Sequence, residues 1–374
     1  MHSFIPPARL LLGPGPSNVP PRILAALARP TIGHLDPRFV AMMDEVKVLL
    51  QQAFRTSNRL TLPISAPGSA GMEACFVNLI EPGDTVIVCR NGVFGGRMRE
   101  NVMRLGAHCV LVEDPFGQAV SLDKVDAALK ANPGARALAF VHAETSTGAA
   151  SDAAALCKLA REHGALSIVD SVTGLGGIPI EVDAWGADAI YSGSQKCLSA
   201  PPGLSPLSFG EHAVAALNAR KTPVQSWFLD LGLVMSYWSG EGARAYHHTA
   251  PVNMLYALHE ALLILHEEGL EASWARHRAN HLRLRDGLTA IGLQMLVPEA
   301  ARLPQLNTVR IPAGSDDLGT RRRLLDEFGI EVGGGLGELA GKVWRIGLMG
   351  HGSRPENVDR VLQALAIILD RKAA

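Results

Sequence analysis

Between about residue 60 and about residue 210, short apolar segments alternate with longer stretches of helical periodicity. The apolar segments are LTLPIS, DTVIVC, AHCVLV, ARALAFVH, ALSIVD and DAIYSG. Continuous apolar strands separated by helices are typical of a mostly parallel sheet that is covered by helices on both faces. The pattern therefore predicts an α/β fold. Ligands of such folds bind beyond the carboxyl ends of the strands.

The sequence after about residue 268 has a different pattern. Two long helical stretches, EASWARHRANHLRLRDGLTAI and GTRRRLLDEFG, flank the short strands TVRIP and KVWRIGLM, and a last helix is expected from about Arg354 to Leu369. A chain of 374 residues is long for a single core. We predict a large domain over residues 21–268, a smaller α+β domain over residues 269–374 and an N-terminal extension over residues 1–20.

The composition excludes several classes of function. Lysine and arginine (35) balance aspartate and glutamate (36), so no basic surface for nucleic acid is expected. The sequence has no apolar run of membrane-spanning length and no secretory signal pattern, and we therefore expect no membrane partner. The five cysteines lack a CxxC pair and read as reduced thiols. We predict a cytoplasmic protein.

Polar residues stand at the ends of three predicted strands. Asp170 ends the strand in SIVDSVTGLGG, and Lys196 follows the strand in AIYSGSQK. In LPISAPGSAGMEA, Gly68 and Ser69 connect a strand to a helix, whose free N–H groups could bind a phosphate. Each feature alone also has an ordinary structural explanation: a helix cap for Ser69, a turn cap for Asp170 and a solvated side chain for Lys196.

The three features together indicate a more specific chemistry. A phosphate-binding helix start, a carboxylate and a lysine at one edge of a parallel sheet form the set that binds pyridoxal phosphate. The lysine forms a Schiff base with the aldehyde, and the carboxylate keeps the pyridine nitrogen protonated, so that the ring withdraws electrons from the substrate Cα. On this hypothesis Lys196 anchors the cofactor.

Several longer segments carry a resemblance to a known family. They include LLLGPGPSNVPPRIL, SAPGSAGMEA, EPGDTVIVCRNGVFGGR, HAETSTG, VDSVTGLGG, YSGSQKCLSAPPG, YHHTAPV and RIGLMG, and SGSQK followed by APPG is the most specific. The chain resembles, over almost its whole length, the class V aminotransferases of PLP-dependent fold type I, and within them the alanine–glyoxylate and serine–glyoxylate (serine–pyruvate) aminotransferases. The resemblance implies a ping-pong transfer of the amino group of alanine or serine to glyoxylate or pyruvate.

The resemblance also implies roles for individual residues. Lys196 and Asp170 would be the catalytic residues, and Arg345 would bind the substrate carboxylate, which suits a planar guanidinium. The cofactor would contact Gly68, Ser69, Ala70, Phe94, Ser146, Asp170, Val172, Gln195, Lys196, Tyr246 and Thr249.

In this set, Gly68, Ser69, Ala70 and Gln195 would surround the phosphate, and Val172 would pack under the ring. Ser146 would face the ring and its hydroxyl. The resemblance implies that Tyr246 and Thr249 reach the phosphate of the neighbouring subunit, and hence a homodimer with shared active sites, with the N-terminal extension lying along the partner.

The sequence departs from the pattern at Phe94, where the relatives often have tryptophan stacked on the pyridine ring. Phenylalanine also stacks, so a roomier pocket is expected; packing in the core is the ordinary alternative for Phe94. For Arg345 the alternative is a surface arginine on a strand. Other open alternatives are a different amino donor (2-aminoethylphosphonate, 3-hydroxykynurenine or aspartate), a cysteine desulfurase-like lyase, and a cofactor-binding protein without catalysis.

Other motifs lack the features that their functions need. GGGLGELAGKV has Leu336 and Val343 where a P-loop requires glycine and a hydroxyl residue. His277 and His281 are four residues apart on a predicted helix, but no third ligand is evident and the neighbouring arginines suggest a solvated face. No metal site is predicted.

Overall fold

The computed structural model describes residues 1–239 and 244–370. Residues 240–243, in the predicted large domain, and residues 371–374, at the end of the predicted small domain, lie outside the described ranges. The two domain boundaries remain predictions. Within the described ranges, each helix is too short or too polar to cross a lipid bilayer.

The elements up to the last strand of the central sheet are, in chain order, β1 (Leu10–Leu11), α1 (Pro21–Leu27), α2 (Pro37–Phe54), β2 (Leu60–Ile64), α3 (Gly68–Leu79), β3 (Thr85–Arg90), α4 (Val93–Arg104), β4 (His108–Glu113), α5 (Leu122–Ala131), β5 (Ala137–Val141), β6 (Ala143–Glu144), β7 (Ala149–Ala150), α6 (Ala153–Glu162), β8 (Leu166–Asp170), α7 (Val182–Trp185), β9 (Ala189–Tyr191) and β10 (Ser205–Phe209). They are followed by α8 (Glu211–Asn218), α9 (Leu231–Trp238), α10 (Val252–Glu268), α11 (Leu270–Ala290), β11 (Leu306–Arg310), α12 (Asp317–Phe328), β12 (Ile330–Glu331), β13 (Gly333–Gly334), β14 (Val343–Gly347) and α13 (Pro355–Ile368).

The central sheet confirms the predicted α/β fold. Its strand order is β2-β10-β9-β8-β5-β3-β4. Strands β4, β3, β5, β8 and β9 pair in parallel, and β10 is antiparallel to both β9 and β2. Each predicted apolar segment forms a strand of this sheet, whereas β10 was not predicted. The carboxyl ends of β8 and β9 therefore lie side by side.

Helix α2 shows how the local sequence produces a helix that packs in the main core. Asp36 caps its start by accepting a hydrogen bond from the backbone of Arg38 at 2.8 Å, and Pro37 occupies the first turn. The helix ends where Arg55 adopts a left-handed conformation (φ 51°). Its apolar face, with Phe39, Met43, Val46, Leu50 and Phe54, is buried in the main core, as the periodicity predicts.

The smaller α+β unit has its own core. Strands β11 and β13 flank β14 in an antiparallel sheet, and α11, α12 and α13 contribute to a second apolar cluster. Strand β1 pairs in parallel with β12, and Leu12 is buried in this second cluster. Residues close to the N-terminus thus pack on the small unit of their own chain.

The predicted solvated face of His277 and His281 is wrong. His277 is fully buried, donates through Nδ1 to the carbonyl of Ser273 at 2.7 Å and accepts through Nε2 from the backbone of Gly350 at 2.9 Å. His281 is buried too and bonds to Asn307. The prediction of a helix was correct, but another part of the chain covers this face of α11. Among the described residues, no group of three or more His, Cys, Asp or Glu side chains could hold a metal ion.

Candidate active site

A cavity of about 150 Å³ opens beside the carboxyl end of β8 and the start of α3. Its lining consists of Pro67, Gly68, Ser69, Met72, Phe94, Arg97, Thr145, Asp170, Val172, Gln195 and Lys196. Most of the predicted site residues thus meet in one place, where the strand-end rule for α/β sheets expects a ligand.

Lys196 is a buried lysine, so its explanation as a solvated side chain is wrong. Only 8% of the residue is exposed, and its amine donates a hydrogen bond to the carbonyl of Pro14. Burial, followed by the positive charge of Arg345, lowers the pKa of Lys196 to about 8. At pH 7 roughly a tenth of the amine is therefore neutral and nucleophilic, far more than for an ordinary lysine.

Asp170 ends β8 and is 2% exposed. One carboxylate oxygen accepts from the backbone of Val172 at 2.9 Å and the other from the hydroxyl of Tyr191 at 2.8 Å. The expected turn cap is therefore present, together with a second oxygen held by a tyrosine. Burial raises the pKa of Asp170 to about 6, against the hydrogen bonds and the charges of Lys196 and Arg97, which lower it.

The start of α3 leaves donors available for an anion. Pro67 precedes the helix and no side chain caps it, so the proposed capping role of Ser69 is wrong. Among the described residues, the backbone N–H groups of Gly68 and Ser69 have no hydrogen-bond partner. A Cβ on Gly68 would lie 3.1 Å from Val172, so glycine keeps this wall of the cavity open. Ala70 is also in the first turn but does not line the cavity.

Arg345 lies in the middle of β14 and is 6% exposed, so its explanation as a surface arginine is wrong. Its Nε donates to the carbonyl of Gly334 at 2.8 Å and its Nη1 to the carbonyl of Thr145 at 3.0 Å. Its Nη2 has no hydrogen-bond partner among the described residues. Arg345 does not line the cavity itself but is tied to Thr145, which does.

Phe94 is half-buried at the cavity, in the first turn of α4, and also packs against the main core. The guanidinium of Arg97, one turn later, lies 4.6 Å from the centre of the Phe94 ring. Both expectations for Phe94, core packing and a ring at the pocket, are therefore compatible with its position.

Ser146 is fully buried and does not line the cavity. Its hydroxyl accepts from the backbone of Val93 at 2.9 Å and donates to the carboxylate of Glu144 at 2.6 Å. Thr145 is the residue of this segment that reaches the cavity. Ser146 instead connects the segment to the start of α4.

Tyr246 and Thr249 do not line this cavity in their own chain. Tyr246 is 61% exposed, and its hydroxyl is 3.3 Å from that of Thr249. Their contact with a cofactor in a neighbouring subunit remains a prediction.

Sequence reasoning missed several residues of the site. Pro14 and Gly15 lie against Lys196, Tyr191 holds Asp170, and Arg97 lines the cavity. Arg97 could have been found from the sequence, because it lies one turn after the predicted site residue Phe94 on a predicted helix. For Gly15, no local pattern indicated a contact with a lysine so far along the chain.

Comparison with known proteins decides the family. A sequence model described as "Aminotransferase class-V" matches residues 10–360. The chain belongs to the class V aminotransferases. It is 44% identical to the alanine–glyoxylate aminotransferase of Oryctolagus cuniculus, over 96% of this chain and 92% of that protein.

Solved structures agree with this assignment. The crystal structure of alanine–glyoxylate aminotransferase from Nostoc sp. superposes with a TM-score of 0.96 at 48% identity, covering 99% of this chain and 97% of that one. Ureidoglycine–glyoxylate aminotransferase from Bacillus subtilis also gives a TM-score of 0.96, at 38% identity, covering 100% of this chain and 96% of that one. The class V aminotransferase described here is thus a transaminase, with amino acids and oxo acids as substrates.

Pyridoxal 5′-phosphate is the cofactor of this family, and the cavity fits it. The cavity offers the buried amine of Lys196, the buried carboxyl of Asp170 and the free N–H groups at the start of α3. The side-chain oxygen of Gln195 is also buried without a partner among the described residues. The amine, the carboxylate acceptor and the N–H donors are the groups that an aldehyde, a protonated pyridine nitrogen and a phosphate, respectively, require.

Proposed function

We propose that this class V aminotransferase moves the amino group of alanine or serine to glyoxylate, or to pyruvate, by a ping-pong mechanism. The observation that carries the proposal is a cavity of about 150 Å³ lined by a buried amine and a buried carboxyl, with the buried guanidinium of Arg345 bonded to the backbone of Thr145 in its wall. The names of the relatives in rabbit and Nostoc, at 44% and 48% identity, support glyoxylate as the acceptor.

When bound, pyridoxal phosphate supplies the aldehyde that takes up an amino group and the ring that withdraws electrons from the substrate Cα. Lys196 performs the proton transfers. A neutral amine removes the Cα proton, and the resulting ammonium returns a proton afterwards. The pKa of about 8 suits both directions, because the neutral and the protonated amine are equally populated at about pH 8. Asp170, ionised above its pKa of about 6, keeps the ring nitrogen protonated.

Arg345 orients the substrate in this proposal. Its Nε and Nη1 are fixed by two backbone carbonyls, so the guanidinium plane is rigid before any ligand binds. Its Nη2 can donate to a carboxylate. A fixed carboxylate holds the Cα–H bond within reach of Lys196, which saves the entropy of orienting the substrate.

We also propose that the enzyme is a cytoplasmic homodimer with shared active sites. The proposal is supported by large apolar side chains that the single chain leaves exposed and that a partner subunit could cover, namely Trp227, Phe228, Leu233 and Tyr246. Tyr246 and Thr249 would then contact the phosphate bound in the partner.

A cysteine desulfurase-like reaction is disfavoured by Cys197, the cysteine next to the cofactor lysine. Cys197 is 6% exposed, and burial raises the pKa of its thiol to about 12. A catalytic cysteine needs a reactive and accessible thiolate. The cysteine desulfurase of Thermococcus onnurineus, one of the structural neighbours, is 14% identical and shows the fold alone.

An absorbance spectrum of the purified enzyme with added pyridoxal phosphate tests the proposal. L-alanine or L-serine should bleach the visible band, and glyoxylate should restore it, while the variant Lys196→Ala should lack the band. L-aspartate, 2-aminoethylphosphonate and 3-hydroxykynurenine serve as competing donors. A band that responds to one of these and ignores alanine and serine would overturn the donor assignment.

A further inference from the structure

Tyr191 is a buried tyrosine next to the active site to which the mechanism above gives no role. It ends β9 and has no exposed surface. The parallel pairing of β8 and β9 places it directly opposite Asp170, which ends β8. Residues in register on neighbouring strands project their side chains to the same face of a sheet. The sheet therefore brings the phenol and the carboxyl together.

The hydroxyl of Tyr191 donates a hydrogen bond to Oδ2 of Asp170 at 2.8 Å, and the backbone N–H of Val172 donates to Oδ1 at 2.9 Å. An ionised carboxylate can only accept hydrogen bonds, so the phenol must be the donor. Burial, and then the negative charge of Asp170, hold the pKa of Tyr191 well above its ordinary value. The phenol thus keeps its proton, and each carboxylate oxygen is held by one donor.

Helix α3 holds Tyr191 in place. A Cβ on Gly71 would lie 3.3 Å from Tyr191 Cβ, so the helix whose start lines the cavity packs directly on this tyrosine. Asp170 is 2% exposed, so bulk water does not reach its carboxyl freely. Loss of the phenol hydroxyl would therefore leave a buried oxygen without the donor that the fold provides.

The negative charge of Asp170 is opposed by burial, which raises the pKa of its carboxyl to about 6. The two hydrogen bonds and the positive charges of Lys196 and Arg97 lower this pKa. The charge of Lys196 changes during the proposed reaction, because its amine takes up and releases a proton. Arg97 is exposed, and solvent screens its charge. The hydrogen bonds, by contrast, are available at every step.

We propose that Tyr191 is a positioning residue that acts through Asp170 and keeps the proton between Asp170 and the pyridine nitrogen of the cofactor on the nitrogen. Without the hydroxyl, the proton moves: the N–H bond breaks, an O–H bond forms on Asp170, and the two opposite charges cancel. The neutral ring then withdraws fewer electrons. A hydrogen bond to a charged group alters such an equilibrium by a factor of roughly 10 to 100. The inference rests on one part of the proposed function, namely that Asp170 contacts the ring nitrogen.

The position of the proton can be measured directly in the holoenzyme. The probe is pyridoxal phosphate labelled with ¹⁵N in the ring, because the chemical shift of the nitrogen differs between its protonated and unprotonated forms. At neutral pH the unaltered enzyme should show a protonated nitrogen. Tyr191→Phe should shift the signal towards the unprotonated position, since the preference for the nitrogen falls by a factor of roughly 10 to 100. Asp170→Asn provides the reference for a ring without the carboxylate.

Tyr237→Phe is the matched control. Tyr237 is also fully buried and its hydroxyl donates one hydrogen bond, to the carbonyl of His34 at 2.9 Å, but it does not line the cavity. This variant should leave the nitrogen signal where it is in the unaltered enzyme. Equal shifts in Tyr237→Phe and Tyr191→Phe would overturn the inference, because they would reflect a general loss of packing.

The remaining outcomes separate this inference from the proposed function. An unchanged signal in Tyr191→Phe, with a shifted signal in Asp170→Asn, would overturn the inference alone. An unchanged signal in Asp170→Asn would overturn the role of Asp170 in the proposed function as well. If Tyr191→Phe does not fold, 3-fluorotyrosine can replace the tyrosines of the unaltered chain. Its more acidic phenol donates more strongly, so the signal should move further to the protonated side, and a signal that does not move would overturn the inference.

Discussion

The amine of Lys196 donates a hydrogen bond to the carbonyl of Pro14, and the next residue, Gly15, packs directly against the lysine side chain. A Cβ on Gly15 would lie 2.6 Å from Lys196 Nζ. Gly15 also has φ 103°, a conformation that favours glycine. The N-terminal segment is therefore a wall of the active site, although it is far from the lysine in sequence.

Replacing Gly15 by alanine should displace the amine. The methyl group would occupy the position of Lys196 Nζ and Cδ, and misplacement of a reacting group by about 1 Å costs roughly a hundredfold in rate. We expect kcat/KM to fall by about that factor. Gly314→Ala is the matched control, because Gly314 has φ 80° with no atom within 4 Å of the added Cβ. Similar losses of activity in both variants would refute the explanation by collision.

Arg345 should set the pH at which Lys196 reacts. Its charge is the second cause, after burial, of the lowered pKa of Lys196. In the enzyme stripped of cofactor, the rate of recombination with pyridoxal phosphate should rise with pH through about 8, because only the neutral amine attacks the aldehyde. Arg345→Gln should move this midpoint to higher pH, and Arg345→Lys, which keeps a charge, should move it less. A midpoint that is the same in all three proteins would contradict the coupling.

Asp170 should reduce the stability of the cofactor-free protein above pH 6. Its folded pKa of about 6 exceeds the ordinary value of 3.8, so the folded state holds its proton more tightly than the unfolded state. Stability is therefore lost as pH rises from about 4 to about 6, and the loss persists above that range. Asp170→Asn should be more stable at pH 8 by on the order of 2 kcal/mol, with weaker cofactor binding. Urea unfolding at pH 5 and pH 8 measures this, and an unchanged pH dependence in Asp170→Asn would count against it.

His277 should stabilise the contact between α11 and the segment at Gly350. Loss of its two buried hydrogen bonds in His277→Ala should lower the free energy of unfolding by about 2 to 4 kcal/mol. His266→Ala, at an exposed site on α10, should change it by less than about 0.5 kcal/mol.

The pH dependence of this effect has a defined sign. Burial lowers the pKa of His277 to about 4, so the folded state favours the neutral ring. Its stabilising effect should be complete above pH 6.5 and should decline as the pH falls from 6.5 towards 4. Thermal melting between pH 5 and pH 8 tests this; equal slopes in His277→Ala and the unaltered protein would exclude His277 as the cause.

Shared active sites should allow two inactive subunits to complement each other. In a hybrid of Lys196→Ala and Tyr246→Ala subunits, one of the two sites would contain both intact residues and the other neither. Co-expression should therefore restore activity at limiting cofactor, compared with either variant alone. Activity no higher than the sum of the separate variants would show that Tyr246 serves only its own chain.

The local patterns of the sequence predicted six of the seven strands of the central sheet and missed β10. Apolar runs predicted the strands β2, β3, β4, β5, β8 and β9, and apolar residues at helical spacing predicted α2. Both predictions succeeded because the period of the apolar residues differs between strands and helices. The strand-end rule then placed Asp170, Lys196 and Gly68 at one cavity. These conclusions needed only neighbours in sequence and the geometry of parallel sheets.

Tertiary structure decided the contacts between distant segments. The burial of His277 and Arg345 and the approach of Gly15 to Lys196 depend on which surfaces pack together. Burial removes water, and the resulting desolvation moves the pKa values of Lys196 and Glu144 towards neutrality. The sequence alone determined which chemical groups were available. Only the packing decided their pKa values and which other groups they contact, because the side chains around each group are remote along the chain.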